Sequence, residues 1–311
     1  MTIFTKFQRV AFYKVLCFFF YLTLSSFGIS PTNAKFTILT TTGILGDAIK
    51  NIVKEDANVV SLMGPGIDPH TYQATQRDVQ KLMSADIIVY NGLYLEGKMS
   101  DLLEKLSETR TVYAASDALN KEQFIYEDIF PIGIDPHIWF DVTIWQQVVG
   151  FISQKLQEER PESAGYYKEN TVAYLEKLER LHQEITDQIQ SIPEKQRVLI
   201  TAHDAFGYFG RAYNIEVVGL QGISTVAECG LKDIQRIVQL IVERNIKAIF
   251  FETSVSDKSM RAVLEGCAHY EKKTEIGGYL YSDALGAPNT PEGTYCGMIR
   301  ANAIAIVNAL K

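Results

Sequence analysis

Short apolar runs rich in β-branched residues alternate with helical stretches along almost the whole chain, and this alternation restricts the fold more than any other feature. From Lys35 onward strands are expected at residues 36–40, 59–62, 87–91 and 111–114, with helices at 44–53, 75–83 and 98–106. After Pro193 the pattern resumes, with strands at 198–201, 215–220, 248–251 and 274–280 and helices at 205–213, 231–244, 258–269 and 290–310. Such an order makes parallel sheets covered by helices. The one break is residues 161–192, a run without glycine after Gly165 and with apolar residues at Val172, Leu175, Leu178, Leu181, Ile185 and Ile189. It reads as a single helix ~45 Å long, stopped by Pro193. A coiled-coil seam is the weaker reading, since the run holds only about four heptads between α/β segments. The expected fold class is α/β in two lobes, each a parallel sheet flanked by helices, at residues 35–160 and 193–311. One long rigid bridging helix at 161–192 joins them.

The N-terminus has the parts of an export signal: basic Lys6, Arg9 and Lys14, an apolar run over 15–29, and a small residue, Ala34, where cleavage would fall. About 15 apolar residues fall short of the ~20 that span a bilayer. Cys17 follows Val15 and Leu16 and precedes three phenylalanines, a context that disfavours a lipid anchor and favours a soluble periplasmic protein. The formal charge of −7 becomes −10 once the three basic residues of the first 34 are removed. A surface this acidic argues against a nucleic-acid partner and is compatible with weak attraction of cations.

Only five histidines are present, and three of them lie where an expected strand or loop ends. His70 and His137 each close an Asp-Pro-His tripeptide, and His203 sits in Thr201-Ala-His-Asp-Ala-Phe-Gly-Tyr-Phe209. Proline fixes its own φ and restricts the residue before it, so each tripeptide presents its imidazole from a stiff backbone, as a metal ligand requires. Asp68 and Asp135, two residues upstream, are placed to orient ring or backbone. Ligands of open α/β sheets collect at the carboxyl ends of strands, which is where these histidines are expected. Asp283, after the last strand of the second lobe, completes a candidate metal set of His70, His137, His203 and Asp283; a helix-cap or turn role is its plainer alternative. Three imidazoles and a carboxylate suit Mn²⁺, Fe²⁺ or Zn²⁺, so the donors leave the metal open. His182 and His269 lie on helix faces and read as structural or solvated.

The ordered motifs Gly66-Ile-Asp-Pro-His-Thr-Tyr72, Tyr90-Asn-Gly-Leu-Tyr-Leu-Glu96, Asp135-Pro-His-Ile-Trp-Phe-Asp141, His203-Asp-Ala-Phe-Gly-Tyr-Phe209, Gly222-Ile-Ser-Thr225 and Tyr281-Ser-Asp-Ala-Leu-Gly286 resemble the periplasmic binding proteins of zinc, manganese and iron ABC importers. The resemblance runs from about residue 35 to the C-terminus, to a family with TroA-like, PsaA-like and ZnuA-like members. It implies a non-enzymatic monomer that carries one divalent ion as transported ligand, held by His70, His137, His203 and Asp283, to a membrane permease. It also implies that the bridging helix limits lobe closure. Manganese-specific members typically have glutamate where this chain has His203, and zinc-specific ones often have a histidine-rich loop where residues 120–133 are acidic here, with Glu122, Glu127 and Asp128.

A zinc hydrolase is the competing function, with Asp68, Asp204 or Glu252 as base, but four protein ligands would close the open position that a catalytic zinc needs. An adhesin would show an exposed repeat or stalk, and the sequence has neither. Three cysteines remain after the signal, in a compartment that favours disulfides and without CxxC spacing. In place of the family's usual proline after Thr225 the chain has Cys229, which points to a local disulfide. Tracing helix ends to the strand-end edge favours Cys229 with Cys296. It leaves Cys267 free, ~16 Å of helix away from that edge and beyond the ~7 Å Cα limit for a bridge.

Overall fold

In the computed structural model, which describes residues 35–126, 133–227 and 229–311, the first sheet is built of four-residue strands. These are β1 (Thr37–Thr40), β2 (Asn58–Ser61), β3 (Ile87–Tyr90) and β4 (Thr111–Ala114), all parallel in the order β2-β1-β3-β4. Alternation of side chains along a strand decides which helix covers which face. Ile38, Ile87 and Val89 pack with α1 (Gly43–Val53), while Leu39 and Ile88 pack with α2 (Gln76–Ser84) and α3 (Ser100–Ser107). The helices start at sequence-encoded caps: the Thr42 hydroxyl accepts from Leu45 N–H, and Thr75 with Asp78 forms a capping box.

The second lobe has β5 (Val198–His203) parallel to β6 (Glu216–Gln221) and β7 (Ala248–Glu252) parallel to β8 (Glu275–Leu280), with β5 lying against β7. The first lobe ends in α4 (Val142–Glu159), and α5 (Ala164–Gln190) connects it to the second. With 27 residues α5 is ~40 Å long. Its buried stripe, Tyr167, Thr171, Tyr174, Leu178, Leu181, Ile185 and Ile189, repeats every three to four residues, so one face is apolar along its whole length. That face packs against α1 and α4 on one side and against α6 (Gly207–Tyr213) and α9 (Tyr295–Leu310) on the other. As a result one apolar cluster runs from Ile38 through α5 to Leu310, and residues 36–311 form one compact unit.

Two expectations need correction. No element was expected between residues 115 and 160, yet Val142–Glu159 is helix. Its β-branched Val142, Thr143, Ile144, Val148 and Val149 weaken the local helical signal. Asp141, whose side chain accepts from Thr143 and Ile144 N–H, and the buried face against α5 supply what propensity does not. The Cys229–Cys296 disulfide is also absent: Cys229, Cys267 and Cys296 are all free thiols. Cys229 and Cys267 belong to the cluster formed by Ile200, Phe251, α7 (Leu231–Arg244) and α8 (Lys258–His269), whereas Cys296 belongs to the cluster on the opposite sheet face. Placing cysteines by sheet edge ignored which face each helix covers. The export signal with Cys17 and Ala34, and the acidic residues Glu127 and Asp128, lie outside the described residues.

Leu181 is fully buried at the middle of the shared stripe. Leu181→Ala is expected to lower unfolding stability by ~2–5 kcal/mol, read as a lower urea midpoint.

Candidate metal centre

The four expected residues come from both lobes, and two of them, His203 and Asp283, lie at or just beyond the carboxyl end of a strand. His70 follows β2, His137 lies between β4 and α4, His203 is the last residue of β5, and Asp283 stands three residues after β8. All four are buried, and their ligand atoms lie within 4.8 Å of one another. The three imidazoles point Nε2 inward: His70 Nε2 is 3.2 Å from His137 Nε2, which is 3.4 Å from Asp283 Oδ1, and His203 Nε2 is 3.5 Å from Asp283 Oδ2. His203 Nε2 and Asp283 Oδ1 have no hydrogen-bond partner although buried, an arrangement that costs free energy unless something electrophilic occupies the space they face.

The outer supports are visible residue by residue. In both tripeptides the aspartate accepts the histidine N–H, Asp68 Oδ1 from His70 at 2.8 Å and Asp135 Oδ1 from His137 at 2.9 Å. Asp135 Oδ1 also lies 2.7 Å from His137 Nδ1, fixing the tautomer that leaves Nε2 free to bind. Asp68 steadies only the backbone of His70; its Oδ2 accepts hydroxyls from Thr71 and, across the cleft, from Thr225 at 2.6 Å. Asn91 donates its side-chain N–H to Pro136 O at 2.9 Å, and Asn91 N–H is held by Glu96 Oε1, so the Tyr90 to Glu96 motif braces the His137 loop. Sequence reading did not find the partner of His203. Glu252, considered there only as a hydrolytic base, accepts His203 N–H at 2.9 Å and places Oε2 2.6 Å from His203 Nδ1. The available signal was an acid closing the otherwise apolar strand Ala248–Glu252, where solvation cannot explain it. Trp139 is a second such residue: its indole N–H donates to Ser282 O at 3.0 Å and so ties the His137 loop to the Asp283 loop.

Burial and partner charge act on the imidazoles in opposite directions. Burial, with the two neighbouring imidazoles, pulls His70 down to about 3 against the attraction of Asp283, so it is neutral at physiological pH. Burial also acts to lower His137, but Asp135 and Asp283 outweigh it and raise the group to about 9. His203 is likewise raised well above its ordinary value, burial being outweighed by Glu252 and Asp283. Asp283 is held well below the usual carboxylate range by His203 and His137 in spite of its burial. The carboxylates beside them thus favour the charged form of His137 and His203, while burial favours the neutral form of His70.

Three imidazoles and one carboxylate, buried together and drawn from both α/β lobes, are a donor set suited to a metal ion. The chain belongs to the family described as zinc-uptake complex component A, periplasmic (ZnuA), whose model matches residues 38–309. The manganese-binding lipoprotein MntA of Bacillus subtilis strain 168 is 46% identical over 278 residues, covering 88% of this chain and 89% of MntA. The periplasmic zinc-binding protein TroA of Treponema pallidum superposes with a TM-score of 0.87 at 42% identity, covering 89% of this chain and 99% of TroA. Fe(III)-bound YtgA of Chlamydia trachomatis does so with a TM-score of 0.81 at 25% identity, covering 88% and 98%. These relatives are substrate-binding proteins of metal transport, not enzymes, and the hydrolase alternative finds no support among them. Nor does the expectation against a lipid anchor, since several relatives are named lipoproteins. Among the described residues no helix is long and apolar enough to cross a membrane.

The raised groups give a pH dependence of definite sign. His137 contributes stability to the ion-free protein below its unfolded pKa of ~6.5 and loses it as pH rises through about 9. Ligation needs His137 and His203 neutral at Nε2, so ion uptake at neutral pH releases protons and strengthens as pH rises. Calorimetry between pH 6.5 and 9.5 is expected to find a falling thermal midpoint for the ion-free protein and a growing metal-induced increase. A metal-induced increase that shrinks over this range contradicts the assignment.

Proposed function

We propose that this chain captures one divalent transition-metal ion through His70, His137, His203 and Asp283, in the cleft between its lobes, and delivers it to the membrane permease of an ABC importer. The observation that carries this reading is the convergence of four buried ligand atoms within 4.8 Å, two of them without a hydrogen-bond partner. The lobes are assigned as residues 35–160 and 193–311, with 161–192 between them, and the mature protein as an exported monomer of the periplasm. The names of relatives that bind manganese, zinc or iron support a cargo among Mn²⁺, Zn²⁺ and Fe²⁺. In vitro affinity alone favours zinc over the other two, so supply and the permease decide which is carried. A hydrolytic role is disfavoured further because Asp68 and Glu252 already accept hydrogen bonds from the histidine loops, as supports rather than bases.

Replacing His70, His137 or His203 singly by alanine is expected to weaken metal binding at least tenfold in competition titrations, because each variant loses one of four donors. Near-native affinity in any variant removes that histidine from the ligand set. Metal content of protein isolated from its native compartment identifies the cargo.

A further inference from the structure

The lobes are joined differently on the two sides of the ligand cluster. On the His137 side three buried hydrogen bonds cross from one lobe to the other: Trp139 donates its indole N–H to Ser282 O at 3.0 Å, Tyr208 its hydroxyl to Asp135 O at 3.1 Å, and Tyr295 its hydroxyl to Trp139 O at 2.7 Å. All three donors are enclosed in the apolar core. Where the His70 loop meets the second lobe, the half-buried Thr225 donates its hydroxyl to Asp68 Oδ2 at 2.6 Å, the short distance of a bond to a charged acceptor. The other oxygen of the same carboxylate accepts His70 N–H at 2.8 Å, so Asp68 connects the second lobe to the backbone of a ligand. His70 is also the ligand whose ring is least held. His137 and His203 each face a carboxylate at Nδ1, at 2.7 and 2.6 Å, whereas Asp68 grips His70 through its backbone. Of the four ligands His70 alone lines the cavity of about 600 Å³ that Leu93 and Ile134 of the first lobe share with Ile223 and Val226 of the second.

We infer that the hydrogen bond between Thr225 and Asp68 is a clasp across the cleft that keeps His70 on the bound ion and so sets the rate at which the ion is released. This rests on the four-ligand reading above. An ion held by four donors leaves by losing them in turn, and the first to go is the one whose ring and loop are least constrained. Breaking the crossings on the His137 side means drawing Trp139, Tyr208 or Tyr295 out of a close-packed interior and leaving buried polar groups without partners. Breaking the clasp exposes a hydroxyl and a carboxylate at a half-buried place, where water replaces the lost partner. Opening therefore starts at Thr225, and Asp68 passes the movement to His70. Thr225 touches no ligand atom and acts as a positioning residue.

The test is stopped-flow release of Zn²⁺ from the loaded protein into excess chromogenic chelator, for the wild type, Thr225→Val, Thr225→Ser, His70→Ala and the double variant His70→Ala with Thr225→Val. Valine keeps the shape of threonine without its hydroxyl, and Thr225→Ala repeats the measurement should the valine variant not fold. Thr225→Val is expected to release the ion about tenfold faster, the effect of losing one hydrogen bond to a charged group, and Thr225→Ser to restore the wild-type rate. In the His70→Ala background Thr225→Val is expected to add nothing, because the clasp works through His70. A merely structural role of Thr225 would multiply the rate by the same factor in both backgrounds. That outcome overturns the clasp, as does an unchanged rate in Thr225→Val and Thr225→Ala while His70→Ala releases faster, and either leaves the ligand set intact. Release from His70→Ala at the wild-type rate overturns the ligand set itself.

Discussion

Three buried imidazole rings with centroids 5.3–5.8 Å apart cannot all become cations, and buried carboxylates left among them unneutralised would be costly. Asp135, Glu252 and Asp283 meet this constraint by pairing with His137 and His203 and leaving His70 neutral. The rest of the structure serves that arrangement. Parallel strands bring the ligands to one edge, Asp-Pro turns stiffen two of them, and α5 ties the lobes through a continuous core. The surrounding carboxylates thus favour positive charge at the cluster.

What the sequence made legible follows the range of each interaction. The Asp-Pro-His turns were readable because their determinants lie within three residues, and the strand-helix alternation because side-chain period is a local property. The long helix was readable from its spacing and from Pro193. Glu252 was not readable as the support of His203, because the contact exists only where β5 lies against β7, 49 residues apart in sequence. The same holds for Trp139 and Ser282, separated by 143 residues. Helix α4 was hidden by β-branched residues whose burial overrides their propensity. The disulfide pairing failed for a geometric reason, since edge position follows from chain direction but face follows from which side chains alternate inward.

The braces around the His137 loop also account for an unusual backbone. Gly92, Leu93 and Tyr94 all have positive φ, 85°, 52° and 65°, values that leucine and tyrosine adopt at a cost. Glu96 offsets it from beneath, accepting the N–H groups of Asn91 and Gly92 and the hydroxyl of Thr41 in a fully enclosed position. Leu93 and Tyr94 are thereby held over a cavity of about 600 Å³ that reaches down to His70.

Of the two tryptophans in the chain, Trp145 is stacked on Tyr295 in the core, and Trp139 stands edge-on to His137 at 5.2 Å. With its indole N–H engaged by Ser282, that ring senses the electrostatics of both ligand-bearing loops at once. An intrinsic fluorophore therefore stands beside the cluster, so a change of charge among these side chains is open to direct optical observation without a label.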